Sequence, residues 1–142
     1  MRLEHVCDME LAYQGAFTLV QPYEGQEAVG FGLGTGIASG AQVSGTVCWV
    51  YHPRRRSDSS LLPAAHALIT TEEGAQIVCK WEGRTRPAIT GSSAQRHQVL
   101  TMLFEAEDVR YQWLNQTVCI AEGQLHQETL RLQLRIYACV PE

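Results

Sequence analysis

The stretch Val29-Gly-Phe-Gly-Leu-Gly-Thr-Gly-Ile37 places a glycine at every second position. Successive side chains of a β-strand point to opposite faces, so in a strand these glycines share one face and the larger residues share the other. A face without side chains suits the sharp coiling of a barrel strand, or the close approach of a ring or backbone segment. A phosphate-binding loop is the alternative, but the Gly-x-Gly-x-x-Gly and Gly-Lys-Ser/Thr patterns are absent and no helix follows. The stretch therefore predicts a barrel strand.

Segments on both sides of this stretch alternate apolar and polar residues. Residues 2–13 alternate as a half-buried strand, and residues 64–71 and 75–82 form a hairpin around the turn Thr71-Glu-Glu-Gly74. The final segment, Thr129–Val140, alternates leucine, isoleucine and alanine with arginine, glutamine and tyrosine. We count eight or nine strands and expect no helix beyond one short turn near the aromatic corner that precedes the last two strands.

The length of 142 residues and the apolar content of 45% are those of one domain that buries its own core. We predict an all-β fold, a single small antiparallel β-barrel of eight to nine strands spanning residues 1–142. Closure into a barrel leaves no exposed edge on the long last strand. The polar segments 83–95 and 123–127 are predicted to be a loop and a turn.

Composition excludes several classes of function. A net charge of −4 argues against a general nucleic-acid binder, which needs a basic face. No segment approaches the length of a membrane helix and no apolar signal region begins the chain, so we expect a cytoplasmic protein without membrane contact. The five cysteines are spread singly, each within an apolar run, and are expected to be buried reduced thiols.

The sequence favours neither a metal nor a cofactor. The histidines show no His-x-His or His-x-x-x-His spacing, so we expect no metal site. Nucleophilic catalysis has no support either, because no Gly-x-Ser-x-Gly motif is present.

A hydrophobic strand ends in the stretch Trp49-Val-Tyr-His-Pro-Arg-Arg-Arg-Ser-Asp58, which carries three consecutive arginines. Pro53 lacks the N–H that a ladder needs, so it ends the strand and begins a polar loop. Arg54 and Arg55 are candidates to hold a carboxylate or phosphate at a barrel mouth. The alternative is a solvated loop whose arginines pair with Asp58 and nearby acids.

His52 and His66 are the best candidates for acid–base chemistry, because a neutral imidazole needs little tuning to act near pH 7. His66 lies within a strand between two alanines, whose small side chains leave room beside it. A histidine satisfied in the core or at the surface is the alternative.

Three aromatic residues complete the candidate binding site. Tyr111 and Trp113 are two residues apart, so in an extended segment they face the same way and, with Trp49, would shape a pocket. The alternative is that Tyr111 and Trp113 form a structural plug at a barrel end.

The aromatic corner Arg110-Tyr-Gln-Trp-Leu-Asn115, preceded by Phe104-Glu105 and followed by Glu122-Gly123, resembles the DUF3237 family. This is a bacterial family of small barrel proteins without an assigned general activity. The opening Leu3–Met9 and the hairpin Leu68–Ala75 are similar to it as well, so the resemblance spans nearly the whole chain.

The resemblance implies an antiparallel barrel of at least eight strands, similar to allene-oxide-cyclase-like barrels. That group includes cyclases and isomerases whose interiors are small-molecule pockets. Many family members carry a Gly-Gly-Ala-Asp-Trp-like segment where this chain has His52–Asp58. An activity that depends on the family's aspartate is therefore not implied here, and Asp58 is the residue that would have to replace it.

Two functional hypotheses follow. The first is a cofactor-free isomerase, cyclase or lyase in which His52 or His66 moves a proton on a small anionic or apolar metabolite. The second is a ligand-binding or assembly barrel without chemistry. The strand register separates them, because the first requires the even-numbered residues of 46–52 and 64–68 to line the interior. In either case we expect a small-molecule ligand and a homodimer.

Overall fold

The structure, a computed structural model, describes residues 1–15, 18–87 and 95–142. Within these ranges the chain forms eleven β-strands and one 3₁₀ helix. In chain order they are β1 Arg2–Tyr13, β2 Thr18–Val20, β3 Ala28–Ser39, β4 Gly45–Tyr51, β5 Arg54–Arg55, β6 Leu61–Leu62, β7 Ala64–Thr71, β8 Gln76–Pro87, β9 Gln95–Ala106, the 3₁₀ helix Val109–Gln116, β10 Val118–His126 and β11 Arg131–Val140. No helix in the described part of the chain is both long and apolar enough to span a membrane.

Eight of these strands close into an antiparallel barrel. Their order is β1-β11-β10-β9-β8-β7-β4-β3, and β3 pairs back with β1 to complete the ring. The short strands β2 and β5 pair with the part of β3 that extends beyond the ring, and β6 pairs with β5. The predicted barrel of eight to nine strands is therefore confirmed.

The glycines of β3 lie on one face of the strand, as the alternation predicts, and on this face other groups approach the backbone closely. A Cβ on Gly34 would overlap the Trp49 indole nitrogen and the Ala12 carbonyl oxygen, and one on Gly30 would overlap the Pro53 ring. The glycine face thus admits a ring at close range, as expected. The other face of β3 leaves large apolar side chains in solvent, among them Ile37, which is 60% exposed.

Four aromatic rings pack inside the barrel. Trp49 lies 4.9 Å from Tyr13 and 5.9 Å from Trp81 between ring centroids, and Tyr51 lies 5.4 Å from Tyr13. Beside them is Gln98, which is fully buried. Burial raises the pKa of the Tyr51 hydroxyl, while the adjoining Tyr13 and Gln98 side chains lower it part of the way back.

The first strand departs from simple alternation. A β-bulge between His5 and Cys7 changes the register with β11, so Val6 and Cys7 are both buried. Under strict alternation His5 would lie on the same face as Met9 and Leu11, but its side chain is exposed and its Nε2 lies 2.7 Å from the Asp8 carboxylate.

Two predicted connections are strands. Residues 83–87 continue β8, and residues 123–126 continue β10, with the turn following at 127–130. Backbone pairing decided these extensions, because each segment finds a full-length antiparallel neighbour in β9. Gln95 begins β9, and the remainder of the predicted loop, residues 88–94, lies outside the described residues.

The cysteines divide into two groups. Cys7, Cys79 and Cys119 are buried, and burial raises the pKa of Cys7 to about 12 and that of Cys119 to about 11. Such thiols stay protonated and unreactive. The expectation of burial is wrong for Cys48, which is exposed on the outer face of β4, and Cys139 is only half-buried.

Candidate functional site

The register of β4 and β7 turns the two candidate histidines away from the barrel interior. Odd-numbered residues such as Trp49, Tyr51 and Ile69 fill the core, while even-numbered Cys48 and His66 lie on the outer face. By the register criterion, an enzyme whose histidines act inside the barrel is excluded.

The same register brings the two histidines together on the outer wall. β4 ends at Tyr51, and its last residues pair with β7, where Val50 lies opposite His66. The next residue, His52, continues this pairing, since its backbone N–H donates to the Ala64 carbonyl at 2.9 Å. His52 and His66 are therefore diagonal neighbours on one face. Their rings meet, with His52 Nε2 and His66 Nδ1 2.9 Å apart.

The histidine pair forms one end of a cleft of about 300 Å³ across the outer faces of β7, β8 and β9. Ala64 lies on the floor of this cleft, and the cleft is open above it because its side chain is a single methyl group. The outward-facing residues of the cleft are His52, Ala64, His66, Lys80, Glu82, Thr101 and Leu103. We call this the His52–His66 cleft.

The surroundings of His52 favour its uncharged state. Partial burial lowers the pKa of His52 below its ordinary 6.5, and the neighbouring His66 lowers it further. Contact at 2.9 Å requires one ring nitrogen to donate and the other to accept, which two imidazolium rings cannot do. The lowered pKa of His52 favours its neutral form near pH 7, and a neutral His52 ring can make this contact.

The structure does not bring the arginine loop to this cleft. Arg54 forms an ion pair with Glu27, and Arg55 lies in β5 with its backbone paired to β3 and β6. Asp58 accepts hydrogen bonds from the backbone and hydroxyl of Ser60, and these lower its pKa. Arg54 is thus exposed and paired with a nearby acid, whereas Arg55 is half-buried in a short strand rather than in a loop.

The three candidate aromatic residues also lie elsewhere. Trp49 faces the core, where its Nε1 donates to the Thr35 carbonyl at 3.3 Å. Tyr111 and Trp113 belong to the 3₁₀ helix at the other end of the barrel, so their expected common orientation is wrong: Tyr111 is buried and Trp113 is 37% exposed. The helix begins after Asp108, which accepts a hydrogen bond from the Arg110 backbone N–H.

Sequence reasoning missed Lys80 and Glu82 as members of the cleft. The signal was available in the hairpin around Thr71-Glu-Glu-Gly74, because residues equally far from a tight turn pair across it. That rule places Lys80 opposite His66, which is the observed pairing. The approach of His52 could not be read in the same way, since a long loop separates it from β7.

The described ranges hold no group of three or more histidine, cysteine, aspartate and glutamate side chains arranged to bind a metal ion. The His52–His66 cleft therefore offers proton donors and acceptors, one ammonium group and one carboxylate.

Solved structures share this architecture. A β-barrel-like protein from Acinetobacter baumannii AYE superposes with a TM-score of 0.83 at 16% identity, covering 96% of this chain and 94% of that one. A protein of unknown function from Clostridium acetobutylicum ATCC 824 gives a TM-score of 0.84 at 15% identity, with 96% and 97% covered. An enzyme from Penicillium herquei gives 0.71 at 21% identity, with 96% and 92% covered. At these identities the likeness concerns the fold alone.

Sequence comparison is more specific. No curated protein matches the chain. The family model described as "Protein of unknown function (DUF3237)" matches residues 1–139, which is nearly the whole sequence. The barrel and this match together confirm the resemblance carried by the aromatic corner and the hairpin: the chain belongs to the DUF3237 family.

Proposed function

We propose that this protein binds a small organic molecule in the His52–His66 cleft. The observation that carries the proposal is the 2.9 Å contact between two histidine rings at the wall of a concave space. Polar groups that converge on a largely apolar hollow are what small-molecule sites have in common.

The size and lining of the cleft fit such a role. Its volume of about 300 Å³ is at the lower end of the range of roughly 300–1,000 Å³ for ligand pockets. Leu103 and Ala64 supply apolar surface, and the histidines, Lys80 and Glu82 supply directional contacts. A molecule of about ten non-hydrogen atoms, such as a substituted benzene, suits this space.

The test is a binding measurement with a cleft-filling variant. Small aromatic probes, among them benzoate, benzamide and benzyl alcohol, would be titrated while the C2 protons of His52 and His66 are followed by NMR. We expect at least one probe to shift both resonances and to saturate. Ala64→Leu should abolish the effect by occupying the cleft, whereas Ala12→Leu, an equal change in a different groove of the outer wall, should not. Binding that survives Ala64→Leu would refute the proposal.

A second candidate function is proton transfer on the bound molecule, as in a cofactor-free isomerase, cyclase or lyase. The observation that favours it is the direct hydrogen bond between the rings, which lets one imidazole pass a proton to the other as the first reacts. One protein of the same fold is described as an enzyme, so the architecture is compatible with catalysis.

Proton transfer can be tested without knowing the substrate. Exchange of the methyl protons of pyruvate in D₂O would be followed by NMR with stoichiometric protein. We expect acceleration that falls about 100-fold or more in His66→Gln, the usual contribution of a general base. The exchange rate should be unchanged in His126→Gln. Equal exchange rates in all three proteins would refute proton transfer and would support a binding barrel without catalytic activity.

A further inference from the structure

Lys80 is the only lysine in the chain, and the fold places it in the His52–His66 cleft. It lies on the outer face of β8, directly opposite His66 on β7 and Leu103 on β9. Within the described ranges it forms no ion pair, although the arginines at positions 54 and 110 both do. An ammonium group at the wall of a concave site, without a partner carboxylate, is suited to an anionic ligand.

Glu82 gives one side of the cleft a negative charge, opposite in sign to that of Lys80. It lies two residues beyond Lys80 on the same face of β8, opposite Ala64 and Thr101. Residues two apart along a strand are separated by about 6–7 Å, and the ion pairs of the described residues do not include one between these two side chains. Positive charge therefore lies at the Leu103 side of the cleft and negative charge at the Thr101 side.

His66 adds a hydrogen-bond partner beside the ammonium group. Its ring lies across from Lys80, and one of its nitrogens is already engaged by His52. An oxygen atom at the Lys80 side would be within reach of both side chains, whereas one beside Glu82 would meet a like charge.

We propose that the cleft binds a small carboxylate with a short apolar body, held with its carboxylate at Lys80 and His66 and its apolar part between Ala64 and Leu103. The inference rests on the proposed function and names the class of ligand for the same site. In this proposal Lys80 and His66 bind the anion in place of Arg54 and Arg55, because Arg54 is engaged by Glu27.

Carboxylate binding should be coupled to proton uptake. The charged or titratable groups that face the histidine pair are Lys80 and Glu82 from β8, while β9 contributes only Thr101 and Leu103. A bound anion favours the protonated form of an adjacent imidazole, so by linkage the complex is favoured as the pH falls. We expect tighter binding at pH 6 than at pH 8.

The test compares benzoate with benzyl alcohol, which has a similar shape without the charge. Binding would be measured from the His66 C2 proton in every protein. In the wild type, reductive ¹³C-methylation gives an independent signal, since Lys80 and the terminal amine are the only primary amines to be labelled. We expect benzoate to bind at least tenfold more tightly than benzyl alcohol and to shift the Lys80 methyl resonance.

Four variants make the test specific. Lys80→Gln should weaken benzoate binding by about 10- to 100-fold, the usual value of a hydrogen bond to a charged group, and Lys80→Arg should restore it. Glu82→Gln should strengthen binding because a like charge is removed. Arg131→Gln changes the net charge as Lys80→Gln does but lies in another groove, so it should have little effect.

Three results would overturn the inference: equal binding of the two probes, unchanged benzoate affinity in Lys80→Gln, or equal losses in Lys80→Gln and Arg131→Gln. If benzyl alcohol binds and Ala64→Leu abolishes that binding while Lys80→Gln does not matter, the cleft takes neutral ligands. In that case the proposed function stands and this inference fails. If no probe shifts the histidines, the proposed function itself fails.

Discussion

The inner and outer faces of β4, β7 and β8 are built from alternate residues of the same three segments, yet they have different chemistry. The inner face holds interlocked rings such as Trp49 and Trp81, with almost no exposed surface. The outer face holds His66 and Lys80, which are exposed to water. A strand's period of two thus lets one segment stabilise the barrel with one set of residues and present a site with the other. Substitutions at neighbouring positions should therefore have very different consequences.

The largest expected effect is at the glycine face. Gly34→Ala places a methyl group where the Trp49 ring and the Ala12 carbonyl already are. Because one of these obstacles is backbone, we expect a loss of about 3 kcal/mol or more in the free energy of unfolding, measured by urea denaturation. Gly74→Ala in the β7–β8 turn, where a Cβ meets no atom within 4 Å but φ is +90°, should cost only about 1 kcal/mol. A smaller loss for Gly34→Ala than for Gly74→Ala would contradict the close approach.

The same residue type on the two faces provides the next comparison. Ile136 is fully buried and Ile37 is 60% exposed. Ile136→Ala should lower the free energy of unfolding by about 2–5 kcal/mol, whereas Ile37→Ala should change it by less than about 0.5 kcal/mol. Similar losses at both positions would show that the outer face of β3 is covered in solution.

Gln98 is fully buried in a largely apolar interior, and its replacement has a smaller expected effect. Because its amide adjoins the Tyr51 hydroxyl in the core, Gln98→Met should lower the free energy of unfolding by about 1 kcal/mol, the usual net value of one hydrogen bond. Gln133→Met on the exposed face of β11 is the matched control and should be neutral. A gain in stability at position 98 would contradict the contact with Tyr51, and a loss of more than about 2 kcal/mol would indicate a further partner, such as a buried water.

The smallest expected effect is a pH dependence from the outer face. Since the folded state lowers the pKa of His52 below 6.5, the unfolded chain binds more protons just below that pH. Stability from this residue is therefore present above pH 6.5 and is lost as the pH falls toward the lower folded value. Wild type should lose stability relative to His52→Gln across this interval in thermal melts. An NMR titration midpoint of His52 at or above 6.5 would contradict the assignment.

Much of the fold follows from local patterns. The glycine alternation at Val29–Ile37 and the hairpin turn at Gly74 set the face and the register of their strands directly. The bulge between His5 and Cys7 could not be predicted from local patterns, because nothing local marks where one strand gains an extra residue. The extension of β10 through Gly123 was equally hidden, since a turn-forming composition was overridden by pairing on both sides.

The candidate site was predictable in its residue types more than in its location. His52 and His66 were identified from their chemistry, but their meeting depends on a loop whose course no periodicity describes. Arg54, Trp49 and Tyr111 were drawn from the same chemistry and are held elsewhere, by an ion pair, by the core and by a 3₁₀ helix respectively. Which polar residues converge is a property of tertiary structure.

The closure of the ring by β1 has a consequence for how the chain folds. β1 pairs on one side with β3, nearby in sequence, and on the other with β11, where Leu3 meets Cys139. Loop-closure entropy makes so distant a pairing slow to form. Until β11 is synthesised, β1 and β10 each present an open edge that other chains can join. The seam along β11 is therefore where a nascent or partly unfolded molecule is most exposed to aggregation.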